Sequence, residues 1–302
     1  MKLVLIVLII LTALALGMGY LLCSFAVGIR RQTLEDARKW QEEHYDISWY
    51  DGLEKEDYTV TSYDGYLLHA QLLRNPAPSD RYILISHGYT DNRFGSLKYT
   101  KMYLDQGFHV ILYDLRGHGE NEPTFCTYSI RESRDLDVMI RDSRARHPEA
   151  SLFGIHGESL GSATSVAVLR YKPRIDFVVA DCGFSEIESV MRRGLRGMHV
   201  PGFMICPASL WAKARCGYFF REMRPIDSLA DNLIPILFIH GAEDDFILPA
   251  HSEAMRKATR GYSELHLIPG AGHAASVLTA PDDYARYTGD FIRRVEAMKG
   301  GN

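Results

Sequence analysis

In the stretch GIHGESLGSAT, residues 154–164, a serine stands between two glycines, with Gly157 two positions before Ser159 and Gly161 two positions after it. An apolar run precedes the stretch and a small-residue helix pattern follows. This is the local context of a nucleophile elbow, a strand-to-helix turn so tight that its flanks admit no side chains. Such a turn lifts the serine hydroxyl clear of the backbone, and the helix N-terminus beyond it favours negative charge developing nearby. An ordinary N-cap serine after a glycine turn has the same spelling, so the motif alone does not decide.

A hydroxyl needs a base to become a nucleophile, and the base needs a carboxylate to orient it. PGAGHAAS (269–276) supplies His273 in a glycine-bounded loop, and HGAEDDFILP (240–249) supplies Asp244 four residues after His240. The order Ser159, Asp244, His273 is the chain order of an acyl-transfer triad on an α/β sheet. Asp181, Glu243 and Asp245 also end strand-like runs, and Asp245 is the closest rival for the acid. The oxyanion of the tetrahedral intermediate needs backbone donors. The N–H of Tyr89, in HGYTDNR after another strand-like run, and the N–H of Leu160, directly after the serine, hold the right positions. Arg116 and His118 in DLRGHGEN (114–121) are expected to shape the rim through structural hydrogen bonds.

Positioning these residues requires a particular scaffold. YTVTS (58–62) and YLLHAQLL (66–73), joined through Asp64-Gly65, predict an antiparallel hairpin. Six nearly continuous apolar runs follow at 82–88, 109–114, 151–157, 176–182, 235–241 and 264–270. Runs of that kind belong to strands buried on both faces of a parallel sheet. Helical patterns near 95–106, 129–146, 160–171, 249–259 and 281–298 alternate with them, which predicts a doubly wound α/β domain. Between 182 and 235 the rhythm breaks. With Met191, Leu195, Met198, Phe203, Met204, Leu210 and Trp211 there, residues of about 185–232 are expected to form a small helical cap over the sheet.

The stretches SHGYTDNR, DLRGHGEN, GESLGS, HGAEDDFILP and GAGHAAS together resemble the successive landmarks of the α/β-hydrolase superfamily, over about residues 55–298. The nearest resemblance is to bacterial membrane-anchored hydrolases related to serine aminopeptidases and small acyl esterases. It implies the α/β-hydrolase fold, a Ser159–His273–Asp244 triad, and an acyl-enzyme mechanism on an ester, thioester or amide that uses no cofactor. One departure is Pro249, one position later than the commoner pattern, which keeps Asp245 in contention. A serine peptidase of the aminopeptidase type is the alternative enzyme, and a catalytically silent binding module the alternative class.

The N-terminus reads differently. From Leu3 to Ile29 the chain carries no charge, enough to span a bilayer as one helix. A cleaved signal peptide ending at Ser24-Phe25-Ala26 is the competing reading, and the length favours an anchor. The expected organisation is therefore an anchor over 1–30, a charged juxtamembrane linker over 31–54 and the hydrolase domain over 55–298. Arg30, Arg31, Arg38 and Lys39 after the span point to a cytoplasmic domain, while outward-facing anchored hydrolases exist, so the side stays open. A net charge of −4 with no basic block argues against a nucleic-acid partner. No histidine pair has zinc-like spacing, so no metal is expected. Cys126, Cys182, Cys206 and Cys216 lack C-x-x-C spacing and do not fix the compartment.

Overall fold

The computed structural model describes residues 1–300. Eight strands form one sheet in the order β1-β2-β4-β3-β5-β6-β7-β8. Their ranges are β1 Lys55–Thr61, β2 Leu67–Leu73, β3 Arg81–Ser86, β4 Phe108–Tyr113, β5 Leu152–Glu158, β6 Phe177–Asp181, β7 Ile236–Gly241 and β8 Ser263–Ile268. β1 and β2 pair antiparallel as the hairpin predicted, β2 also pairs antiparallel with β4, and all pairings from β4 to β8 are parallel. Ten α-helices accompany them among the described residues: α1 Lys2–Val27, α2 Leu34–His44, α3 Leu97–Asp105, α4 Ile130–Arg146, α5 Leu160–Ala167, α6 Ile187–Gly197, α7 Ile205–Cys216, α8 Ala250–Ala258, α9 Ser276–Thr279 and α10 Pro281–Gly300.

Alternate side chains of the buried strands feed two cores. Tyr82, Leu84, Ile111, Tyr113 and Ile155 face Leu136, Met139, Leu160, Val166 and Met255 of α4, α5 and α8. Ile83, Ile85, Val110 and Leu112 face Leu97, Tyr103, Phe291 and Ile292 of α3 and α10. Period-two alternation with apolar residues on both sides explains why these runs look continuous in sequence. The break before β7 contains α6 and α7, whose buried Ile187, Val190, Leu195, Ile205, Ala208 and Ala212 join the first core.

The N-terminal segment does not stand clear of the domain. Along α1, Gly19, Cys23 and Val27 are buried at four-residue spacing, one face of a helix, while Leu3 to Leu14 are exposed throughout. The buried face lies on α7, where a Cβ on Gly19 would collide with Pro207. Beyond the helix, Gly28 bridges Phe125 and Cys126 N–H donates to the Val27 carbonyl at 3.0 Å. The charged stretch after it is ordered as α2, capped by the Thr33 hydroxyl on Asp36 N–H. The face that makes the contact was hidden in the sequence by the uniform apolarity of the run.

Candidate active site

The turn from β5 to α5 puts Ser159 at φ +52°, a strained value for any residue but glycine. The strain is held by close approach on both sides. A Cβ on Gly157 would run into the Gly161 carbonyl, and one on Gly161 into the carbonyl of Ser86 at the end of β3. Ser159 N–H donates to the Asp181 carbonyl at 2.9 Å, pinning the turn to β6.

His273 and Asp244 reach this serine from two further loops. Ser159 Oγ lies 2.9 Å from His273 Nε2, and His273 Nδ1 lies 2.7 Å from Asp244 Oδ2. With Nδ1–H donating to the carboxylate, Nε2 is left to accept the serine proton. Asp244 also accepts from the N–H groups of Phe246 at 3.0 Å and Ile247 at 2.9 Å, and His240 Nε2 lies 3.2 Å away. Burial by itself raises a carboxyl pKa. Here the hydrogen bonds from His240 and His273, the nearby His273 and the Ile247 N–H outweigh it and hold Asp244 well below the ordinary range. His240 takes its tautomer from Ser252, 2.7 Å from Nδ1, and from the Ile247 carbonyl, 2.8 Å from Nε2. It therefore orients Asp244 in turn.

The rival acids point elsewhere. Asp245 is exposed and uses only its backbone carbonyl, which accepts from Arg193 at 2.8 Å. Glu243 accepts from Gly270 N–H at 3.1 Å. Asp181 is buried among Tyr99, Tyr284 and Ser276, away from His273.

The Tyr89 and Leu160 N–H groups donate to no acceptor among the described residues. Leu160 opens α5, and Tyr89 follows β3 in a loop that His87 ties down. His87 Nδ1 donates to the Gly88 carbonyl at 2.7 Å, and its Nε2 accepts from Leu115 N–H at 2.9 Å. Burial pushes the His87 pKa down to about 4, so the ring stays a neutral acceptor. Arg116 reaches Asp64 and Asp135, and His118 Nδ1 donates to the Arg116 carbonyl at 2.9 Å, both structural as expected.

Two cavities share Tyr89 and Thr90, one reaching Ser159 and the other His273. One, of about 410 Å³, is bounded by Ser159 and Leu160, by Phe184, and by Ile187, Met191 and Leu195 of α6. It is almost wholly apolar, and Leu22, Phe25 and Ala26 of α1 complete it. The other, of about 330 Å³, touches His273 and is roofed by Gln41 and Tyr45, with Asp91 and Lys98 at its base. Lys98 is buried and paired with Glu158, the residue before Ser159. Burial, then the charge of Glu158, pushes the Asp91 pKa up to about 6. The ion pair and the α1 contribution were missed from sequence.

Comparison with known proteins fits this geometry. The profile of the alpha/beta hydrolase family matches residues 83–287. The uncharacterized protein YqkD of Bacillus subtilis is 29% identical over 283 residues, which is 92% of each chain. Human alpha/beta hydrolase domain-containing protein 17C is 26% identical over 206 residues, 65% of this chain and 54% of that one. Among solved structures, the Pyrococcus furiosus esterase Pf2001 superposes with a TM-score of 0.70 at 20% identity, covering 89% of this chain and 98% of its own. At that identity the likeness speaks for the fold alone. The chain belongs to the alpha/beta hydrolase family.

Proposed function

We propose that this hydrolase is a serine carboxylic-ester hydrolase working through an acyl-enzyme, with Ser159 as nucleophile, His273 as base and acid, and Asp244 as the orienting carboxylate. The observation that carries this most is the continuous chain from Ser159 Oγ through His273 to Asp244, at 2.9 and 2.7 Å. His273 takes the serine proton as Oγ attacks the acyl carbon. The Tyr89 and Leu160 N–H groups take the oxyanion, and the imidazolium returns its proton to the leaving group. Water repeats the sequence on the acyl-enzyme. The apolar cavity takes the acyl chain, and the polar one beside His273 takes the leaving group.

The test is covalent labelling with a fluorophosphonate. Ser159 is expected to be labelled and turnover to stop. Ser159→Ala should lose both labelling and activity, on the order of 10⁴-fold or more. Labelling of the alanine variant at parental level would exclude Ser159. A panel of p-nitrophenyl esters and aminoacyl amides separates esterase from peptidase, with faster turnover expected on the esters. We assign α1 to a single-pass membrane anchor, being one helix of 26 residues with a mean hydropathy of 2.6 over its most apolar window. Resistance to carbonate extraction supports that, whereas a mature chain beginning after Ala26 would make it a signal peptide.

A further inference from the structure

The apolar cavity has a wall that belongs to the anchor. Leu22, Phe25 and Ala26 line the same space as Ser159, opposite Met191 and Leu195 of α6. That wall is fixed in place along its length. Trp211 Nε1 donates to the Leu16 carbonyl at 2.9 Å and Arg215 to Ser24 Oγ at 2.6 Å. Tyr89 Oη donates to the Gly28 carbonyl at 2.6 Å, and Tyr128 Oη to that of Ala26. Tyr89 thus uses its backbone on the oxyanion side and its phenol on the anchor. Of the cavity's lining, Phe25 at 66%, Met198 at 51% and Phe246 at 55% are apolar and exposed, and Arg30 is the one exposed charge beside them.

Helix length adds an independent constraint. The part of α1 ahead of its first bond to α7, Leu3 to Ala15, is about 13 residues or roughly 20 Å long. A hydrocarbon core of ~30 Å takes about 20 residues. To be spanned, the hydrocarbon must therefore reach to about Leu22, past the point where the cap already covers α1. Over that stretch the outward residues remain apolar, with Met18 and Leu21 on α1 and Leu210 on α7 all exposed. Tyr20 packs edge-on against Trp211 at 5.2 Å, an aromatic pair of the kind found at bilayer interfaces. Arg30, the first charge after the apolar run, lines the end of the same cavity, and Arg31 donates to the Gly119 carbonyl at 2.5 Å.

We infer that the last turns of α1 form one wall of the acyl cavity and hold its mouth at the bilayer surface, so that the enzyme draws a long-chain acyl lipid ester directly from the membrane. This rests on the assignment of Ser159 as the acyl-accepting nucleophile. An acyl chain entering beside Phe25 passes from hydrocarbon to an apolar cavity without exposing its methylenes to water.

The test uses the full-length chain in phosphatidylcholine vesicles. Fluorophosphonate labelling of Ser159 comes first, because its absence refutes the nucleophile itself and the inference with it. With labelling present, the ratio of kcat/KM for p-nitrophenyl palmitate over p-nitrophenyl acetate is measured in the parent, in Leu22→Trp, which fills the wall, and in Phe25→Asp, which charges an already exposed rim. The ratio is expected to fall at least tenfold in each variant that still labels. An unchanged ratio in Phe25→Asp, whose exposure makes folding safe, overturns the wall. The source is read with a fluorogenic phosphatidylcholine ester placed either in the enzyme's own vesicles or in separate ones. Turnover at least tenfold faster within the same vesicle is expected, and equal rates overturn uptake from the bilayer.

Discussion

Asp181 and Asp244 stand at the carboxyl ends of neighbouring strands, one closing β6 and the other three residues beyond β7, and both are buried. Asp244 is held deeply ionised, whereas Asp181 is pushed up to about 6 by burial and then by the charge of Glu158. Depth does not distinguish them; their partners do. Asp244 gathers two imidazoles and two backbone N–H groups. Asp181 has the phenols of Tyr99 and Tyr284, each at 3.1 Å, and a like charge close by. A buried carboxylate serves as an orienting anion only where donors converge on it, so position at a strand end is a weaker guide than the donor set.

The largest expected effect tests that contrast directly. Asp244→Asn should lower kcat/KM for ester hydrolysis by roughly 10⁴-fold, because the amide favours the wrong His273 tautomer and cannot stabilise the imidazolium. Should steady-state kinetics instead show Asp181→Asn as the silent variant, the contrast is reversed and Asp181 is the acid. Next is the cation that offsets both Glu158 and Asp181. Lys98→Met strips the buried Glu158 of its partner and should cost about 3–5 kcal/mol in denaturant unfolding at pH 7.

Asp181→Asn should act in the opposite sense and depend on pH. The folded pKa lies above its ordinary 3.8, so folding favours the neutral acid and ionisation costs stability as pH rises toward about 6. A neutral isostere removes that cost, about 3 kcal/mol at pH 7 and none below pH 3.8, with activity kept within about tenfold. Melting curves at pH 7 and pH 3.5 check it; a variant no more stable at pH 7 contradicts the assigned burden. Asp245→Asn should do least, within about 0.5 kcal/mol and about tenfold in rate, since its exposed side chain serves nothing that the amide cannot. A large loss there would move the acid by one residue.

Much of this was legible in the sequence because the signals are local. Continuous apolar runs of strand length marked six of the parallel strands, and the glycines around Ser159 announced a turn whose close approaches leave no room for Cβ atoms. Ser159, Asp244 and His273 could be named because each follows its own strand. Spacing from His240 favoured Asp244 over Asp245, but adjacent residues on a turn differ only in direction, which spacing does not give. The α1 wall was illegible for another reason. Leu22, Phe25 and Ala26 belong to a run selected throughout for apolarity, which conceals the one face that packs. Lys98 and Glu158 are 60 positions apart by residue number, and nothing local to either announces the other.

The bond between Trp211 and Leu16 joins residues 195 positions apart, so α1 and the helix it packs on are made at different times. At 5–20 residues per second, roughly 10 to 40 s of synthesis separate them. The helix that forms the wall leaves the ribosome first and must wait, with Gly19, Cys23 and Val27 uncovered, until α7 has been made. α7 is itself followed by β7, β8 and α10, so the packing of α1 is completed while the last two strands of the sheet are still to come.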